Sequence, residues 1–227
     1  MAEPAKITIR RSFQRPSPDD LAAFHDAPTG WVVDARGRHG ALPHWIRPLT
    51  TAVRAVGTAI TVRSRPRDNL APYIALKYAR PGDILVIQTH AYEEASVVGD
   101  ILVGMAKNAG IIAVVTDGMV RDIEGLNGVG LPIFAKGLSP NSPHKDGPGE
   151  IGTSAMLGNV GIASGDLIVT DQDGVVVVPL SEMAAVRAAL AGVAAKEAAM
   201  EAVVRGGAKR PDWVDAMVSG PDVAFLD

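Results

Sequence analysis

The stretch "GDILVGMAKNAGIIAVVTDGMVRDIEG", residues 99–125, decides the fold class. Its first part predicts a helix over Asp100–Asn108, entered from Gly99 and closed by Gly110, because glycine just past a last turn takes the left-handed conformation at no steric cost. Its middle, residues 111–116, is an apolar run too short for a helix and is expected to form a buried strand. A helix followed at once by a buried strand is half of an α/β repeat. The strand then meets Asp117-Gly118, and Arg121, Asp122 and Glu124 follow within a few residues. Charges crowded just past a core strand are either an ordinary solvated turn or groups converging on a ligand.

The flanking sequence extends the alternation. Upstream, "PSPDDLAAFHDAPTG" (16–30) has Pro and Asp entry signals and a Gly stop, predicting one short helix. "AVGTAITVRS" (55–64) suits a strand, and "DNLAPYIALKYARPGD" (68–83) a helix with Pro72 in its first turn. "ILVIQTH" (84–90) is a strongly apolar strand, and residues 91–99 form a loop. Downstream, "LPIFAKG" (131–137) suits a strand, and the Pro-, Gly- and Ser-rich "SPNSPHKDGPGEIG" (139–152) a loop with no packed element. "GDLIVTDQDGVVVVP" (165–179) predicts two strands around a turn at Asp171–Gly174. An Ala-rich helix over 181–205, capped by Ser181, is the last long element. The expected architecture is a layered α/β/α single domain with a mixed sheet over 1–180, and a C-terminal helix and tail over 181–227 that form no domain of their own.

Composition bounds the function. Of the 227 residues 47% are hydrophobic and 21% charged, which suits one well-cored domain with an extra segment. A net charge of −3 and only 4% aromatic residues give no general attraction to nucleic acid or anionic membrane. The absence of cysteine removes thiolate nucleophiles, zinc–thiolate sites and iron–sulfur clusters together. No run approaches the roughly 18 apolar residues of a membrane span, and "MAEPAKITIRRSFQRPSPDD" has no signal-peptide core. A soluble, cytoplasmic protein is expected.

Three stretches are chemically suggestive. "GDIL" (99–102) sits where a loop becomes a helix, and unpaired amides with partial positive charge there suit a carboxylate or phosphate. The plain alternative makes Asp100 a first-turn acid only. Asp117, Arg121 and Asp122 follow a core strand, outside whose carboxyl end ligands collect in open α/β sheets. Arg121 offers a fork for an anionic oxygen, and Asp122 suits a hard cation that keeps several waters; an Arg–Asp pair on a surface loop is the alternative. In the last helix Met183, Val186, Leu190, Val193, Met200 and Val204 form an apolar stripe, and Glu197 falls on it. A carboxylate there needs a partner, unless small Ala194 and Ala198 let the stripe drift and leave Glu197 at its edge. The glycines of "GLNGVGLP" (125–132) lack the dinucleotide fingerprint, and a strand is expected to follow. The five histidines are scattered, with His90 and His144 able to reach a site from loops. Arg36, Arg38, Lys145 and the acidic loop 92–94 are candidate neighbours of the site.

"GDIL…AKNAGIIAVVTDGMVRDIEGL" followed by "GDLIVTDQDGVVVVP" resembles the metal-dependent 4-hydroxy-4-methyl-2-oxoglutarate/4-carboxy-4-hydroxy-2-oxoadipate aldolases of aromatic catabolism, whose fold the regulator of ribonuclease E activity shares. The likeness spans roughly residues 30–205 and is most specific from Gly99 to Asp122. It implies a homotrimer or hexamer with the site between subunits and the C-terminal helix packed on a neighbour. It further implies that the amides of Gly99, Asp100, Ile101 and Leu102 bind a pyruvyl carboxylate, that Arg121 contacts substrate, and that Asp122 holds Mg²⁺ or Mn²⁺. Asp100 would place a water, and Glu197 from an adjacent subunit would complete the site. The implied reaction cleaves a 2-oxo acid to pyruvate and a second 2-oxo acid, with oxaloacetate decarboxylation as a side activity. The regulator branch is expected to lack the metal-binding Asp, which favours the aldolase branch here. A non-catalytic trimeric regulator that binds ribonuclease E, or a lyase acting on another 2-oxo or sugar acid, are the alternatives.

Overall fold

The structure, a computed structural model, describes residues 5–226. Residues 1–4 and 227, the outer ends of the two expected segments, lie outside it. Strand β1 (Ile7–Ile9) leads to helices α1 (Pro18–Ala22) and α2 (Thr29–Ala35). Ser17 caps α1 reciprocally: its Oγ accepts from the Asp20 N–H, and the Asp20 carboxylate accepts from the Ser17 N–H. Helix α2 corrects the expectation of one helix over 16–30, since Gly30 lies inside it instead of ending a helix. Its start is fixed from a distance, with the Thr29 N–H and hydroxyl donating to the Asp171 carboxylate at 2.7 and 2.8 Å.

The chain continues through β2 (Arg47–Pro48), β3 (Ala55–Ser64), α3 (Leu70–Ala75), β4 (Asp83–Gln88) and β5 (Ser96–Val98). Next come α4 (Asp100–Asn108), β6 (Ala113–Thr116), β7 (Met119–Val120) and α5 (Ile123–Val129). Then follow β8 (Ile133–Ala135), β9 (Gly137–Leu138) and β10 (Gly149–Ile151). Two hairpins, β11 (Ser154–Leu157) with β12 (Val160–Ala163) and β13 (Leu167–Asp171) with β14 (Gly174–Val178), precede α6 (Met183–Arg205) and α7 (Trp213–Val218). Helix α3 is far shorter than the expected 68–83, and β10 lies in the stretch expected to be loop. Helix α5 runs into the glycine-rich stretch, and the strand expected to follow that stretch is β8. Helix α6 starts at Met183, after a turn in which the Glu182 N–H donates to the Pro179 carbonyl, so Ser181 is not its cap.

Strands β3, β4, β6 and β8 run parallel at the centre of the main sheet, with β2 antiparallel on β8. On its other edge the long β3 pairs with β13 through residues 55–58 and with β10 through 62–64, and β1 adds to β10. The expected α/β fold with a mixed sheet is borne out. Alternation at period two explains the packing. Ile60, Val62, Leu85, Ile87 and Val114 face a core shared with α3, α4 and α5. Ala59, Ile84, Val86, Ala113 and Val115 face the opposite side, where the β11–β12 hairpin packs Ala155, Leu157 and Ile162 on them. Because both faces are covered, the central strands are uniformly apolar.

The chain forms two compact units, one up to Leu190 and one from Ala191 on, the boundary falling within α6. In the first unit α6 buries Met183, Val186 and Leu190. In the second, Met200, Val203 and Val204 are exposed, and so is Glu197. The expected stripe is therefore not buried along the whole helix, and Glu197 is solvent-facing rather than set among apolar side chains. Among the described residues no helix is long and apolar enough to cross a membrane.

Candidate active site

The parallel strands β3, β4 and β6 end on the same side of the sheet, and a small parallel sheet of β5, β7 and β9 lies among the segments that follow them. Strand β5 runs straight into Gly99 and α4, and β7 straight into Arg121, Asp122 and α5. Because Val98 pairs with Val120, the first residues after the two strands are set side by side, and the Arg121 N–H donates to the Val98 carbonyl at 3.1 Å. Two strand-to-helix turns are thus placed next to each other by a few backbone bonds.

That placement leaves little room, and glycine supplies it. The Gly99 backbone is extended (φ −136°, ψ −175°), so the need is for space rather than for a special conformation. A Cβ at Gly99 would lie 2.6 Å from Asp122 Oδ2 and 3.1 Å from Arg121 Cγ. A Cβ at Gly125 in α5 would run into the Asp100 carboxylate, with its Cγ at 2.9 Å. Asp122 itself is left-handed (φ 60°, ψ 48°), a conformation that Asp tolerates better than most residues and that costs free energy wherever it is held.

The side chains converge on a cavity of about 90 Å³ lined by Gly99, Asp100, Ile101, Leu102, Arg121 and Asp122. Arg121 Nε lies 3.2 Å from Asp122 Oδ2, and its Nη1 donates to Ser142 Oγ at 2.6 Å. Helix α4 has no side-chain N-cap, so its first-turn amides lack partners within the helix. The Ile101 N–H is taken by the Asp100 carboxylate at 2.7 Å, which leaves those of Asp100 and Leu102. Gly99, Asp100, Ile101, Leu102, Arg121 and Asp122, six of the residues singled out in the sequence, therefore line one cavity. Glu197 lies in the second unit.

Asp117 belongs elsewhere. It is buried and turns back toward the loop after β4, accepting from the Thr89 N–H at 2.5 Å, the Thr89 hydroxyl at 2.9 Å and the Ala91 N–H at 2.9 Å. Burial pushes its carboxyl above the usual range, against the pull of those donors. This corrects its grouping with Arg121 and Asp122. Glu124 is exposed on α5. Asn69, Tyr73 and Ser142 were missed and join the wall with Lys145, which stacks over Tyr73 at 5.6 Å. Asn69 donates from Nδ2 to the Val97 carbonyl at 3.1 Å, while its Oδ1 is buried without a partner among the described residues. No local pattern marks these residues, since three arrive from loops and Tyr73 from a short helix. Arg36 instead pairs with Glu182, and Glu93 with Lys136. His144, Arg38 and the 92–94 loop do not line the cavity.

A family model for RraA-like proteins, described as Aldolase/RraA, matches residues 22–177. The chain belongs to the RraA-like family. The match contains the whole of Gly99–Asp122 and stops short of Glu197. The chain is 38% identical over 161 residues, 71% of its length and 77% of the other's, to a Halalkalibacterium halodurans protein provisionally named 4-hydroxy-4-methyl-2-oxoglutarate aldolase. It resembles the solved structure of an uncharacterized protein from Pseudomonas syringae pv. tomato str. DC3000, with a TM-score of 0.77 at 26% identity over 87% of this chain and 97% of that one. The RNA-processing inhibitor RraA from Thermus thermophilis superposes with a TM-score of 0.64 at 26% identity, over 68% and 93%. The family resemblance read from the sequence is borne out.

Proposed function

We propose that this RraA-like chain is a divalent-metal-dependent class II pyruvate aldolase, cleaving 4-hydroxy-4-methyl-2-oxoglutarate or 4-carboxy-4-hydroxy-2-oxoadipate to pyruvate and a second 2-oxo acid. The observation that carries the reading is the β5–β7 pairing, which sets the open first turn of α4 beside Arg121 and Asp122 with no side chain at Gly99 between them. Among the described residues no cluster of three His, Asp or Glu side chains could hold a metal. That suits Mg²⁺ or Mn²⁺, which keep several waters and take only one or two protein carboxylates, here Asp122. When bound, the ion supplies Lewis acidity at the substrate's 2-oxo oxygen.

The chain's own residues do the rest. The free amides of Asp100 and Leu102 bind the carboxylate next to the 2-oxo group at the positive end of α4. As the 4-hydroxyl loses its proton, the C3–C4 bond breaks and C4 becomes the carbonyl of the departing 2-oxo acid. The bonding pair passes to C3 and the 2-oxo oxygen, and protonation at C3 gives pyruvate. Arg121 offsets negative charge growing on the 4-oxygen. Asp100 orients a water that carries the protons, and Glu197 of a neighbouring subunit completes the site in a homotrimer or hexamer. Oxaloacetate loses carbon dioxide through the same charge distribution and is the expected second substrate.

The test is pyruvate release from 4-hydroxy-4-methyl-2-oxoglutarate and from oxaloacetate, with Mg²⁺, with EDTA and with Asp122→Ala. Turnover that disappears with chelator and with the substitution supports the proposal, whereas metal-loaded protein that releases no pyruvate from either compound refutes it. The second reading is a non-catalytic regulator, favoured by the likeness to the Thermus RNA-processing inhibitor. It requires binding to a ribonuclease that EDTA does not disturb.

A further inference from the structure

Three arginines in this protein close on a carboxylate edge to edge. Arg15 meets Asp83, Arg36 meets Glu182 and Arg210 meets Asp215, each through both Nε and Nη2. That two-bond fork is the strong form of the pair. Arg121 approaches Asp122 differently. Its closest contact is Nε to Oδ2 at 3.2 Å, and its hydrogen bond goes from Nη1 to Ser142 Oγ at 2.6 Å.

Ser142 is exposed, yet its place is built. It lies in the segment between β9 and β10, which two buried polar side chains latch at either end. The Asn141 carbonyl accepts from the Ser96 N–H and hydroxyl, at 3.0 and 2.9 Å. The Asp68 carboxylate accepts from the N–H groups of Asp146 and Gly147, at 2.7 and 3.0 Å. Both Ser96 and Asp68 are buried. Between the latches the His144 N–H donates to the Arg67 carbonyl at 2.8 Å. Ser142 therefore stands one residue beyond one anchor and two before the next, with Pro143 restricting the backbone between them.

The alternative for Arg121 is to swing its Nε–Nη2 edge fully onto Asp122, as the other three arginines do on their partners. Both carboxylate oxygens would then be taken, and a cation approaching Asp122 would meet a guanidinium of like charge. We propose that Ser142 is a positioning residue, which holds Arg121 off the second oxygen of Asp122 and so keeps that oxygen open to a divalent cation. The inference rests on the reading of Asp122 as the metal ligand and adds what keeps it available. Without the Ser142 hydroxyl the closed fork competes with the metal, and apparent affinity falls with the fraction of molecules left open.

The test is a Mn²⁺ titration of the full chain, stripped with EDTA and exchanged into metal-free buffer, with free Mn²⁺ read from its electron paramagnetic resonance signal. Pyruvate release is measured on the same samples. Asp122→Ala defines background binding. Ser142→Ala should weaken the Asp122-dependent binding about tenfold, which corresponds to a fork closed in roughly nine molecules of ten. Ser142→Thr, which keeps the hydroxyl, should restore it. With Arg121→Met in place there is no guanidinium to close, and Ser142→Ala should then change nothing. Equal Mn²⁺ affinity in the wild type and Ser142→Ala, a loss that persists beside Arg121→Met, or no Asp122-dependent binding at all would each overturn the inference. Asp122-dependent binding that follows the expected pattern without pyruvate release would sink the aldolase reaction alone and leave the role of Ser142 standing.

Discussion

Replacing Gly99 with alanine asks whether empty space at the start of α4 is what allows the site to form. The extended backbone there accepts any residue, so the substitution brings no torsional strain. The new Cβ would sit 2.6 Å from Asp122 Oδ2. Carbon–oxygen contacts settle near ~3.3 Å, so the carboxylate must retreat by roughly 0.7 Å. Asp122 is exposed and can turn outward, which keeps the stability cost small. Alanine in place of glycine before a helix costs about 1 kcal/mol or less, a fall of ~2–4 °C in Tm for a chain of this size. The effect on chemistry is larger, because displacing a catalytic group by about 1 Å can cost ~100-fold in rate. The assay is kcat/KM for pyruvate release, with Tm measured on the same sample. Gly104→Ala is the control within the same helix, since its Cβ meets only Val129 Cγ2 at 4.0 Å. It should gain up to about 1 kcal/mol in stability and keep full activity. A Gly99→Ala protein with unchanged kcat/KM, or one whose loss only follows its unfolding, would refute the reasoning.

Arg121→Lys keeps the charge but cannot span Asp122 and Ser142 together, so kcat should fall by about 10²–10³ with a smaller change in KM; an equal rise in KM alone would mean that Arg121 only binds. Arg15 donates twice to Asp83, at 3.1 and 2.9 Å, and Asp83 is almost wholly buried. Arg15→Ala should therefore cost about 3–5 kcal/mol, read from urea unfolding, because it strands a buried carboxylate. The raised Asp117 carboxyl means that the native state holds this proton more tightly than the unfolded chain does. Its contribution is fully present below the ordinary carboxylate pKa and is lost as pH rises through the raised value. Relative to Asp117→Asn, the wild-type urea midpoint should be lower at about pH 7 than at about pH 4, and parallel pH curves for the two proteins would contradict this.

How far the sequence could be read depended on how far away the deciding contacts lie. Helix α4 was legible to its last residue because each local rule agrees: an acid in the first turn, Lys107 in the last, and Gly110 at φ 90° beyond it. The β13–β14 hairpin was legible for the same reason, its turn acid Asp171 accepting from the Asp173 N–H at 3.0 Å. Helix α2 was not, because its first residue is held by that same Asp171 from far along the chain. Strand β10 exists only because β1 and β3 flank it. The candidate site divides along the same line. Gly99–Leu102, Arg121 and Asp122 stand directly after strands and could be picked out by position, whereas Asn69 and Ser142 reach the cavity from loops that no period marks.

The charges after β6 divide by depth, which the sequence alone does not display. Asp117, still at the buried end of the strand, has no solvent to face and satisfies itself on the backbone of the β4 loop. Arg121 and Asp122 come after β7 has carried the chain out to a half-exposed position, with β5 beside it. One acid therefore shapes the scaffold and the other faces the cavity. Asp117 is engaged by the backbone through both of its oxygens, whereas Asp122 meets Arg121 through Oδ2 and keeps Oδ1 for a cation. A carboxylate's role after a core strand thus follows from whether its oxygens are already engaged by the fold.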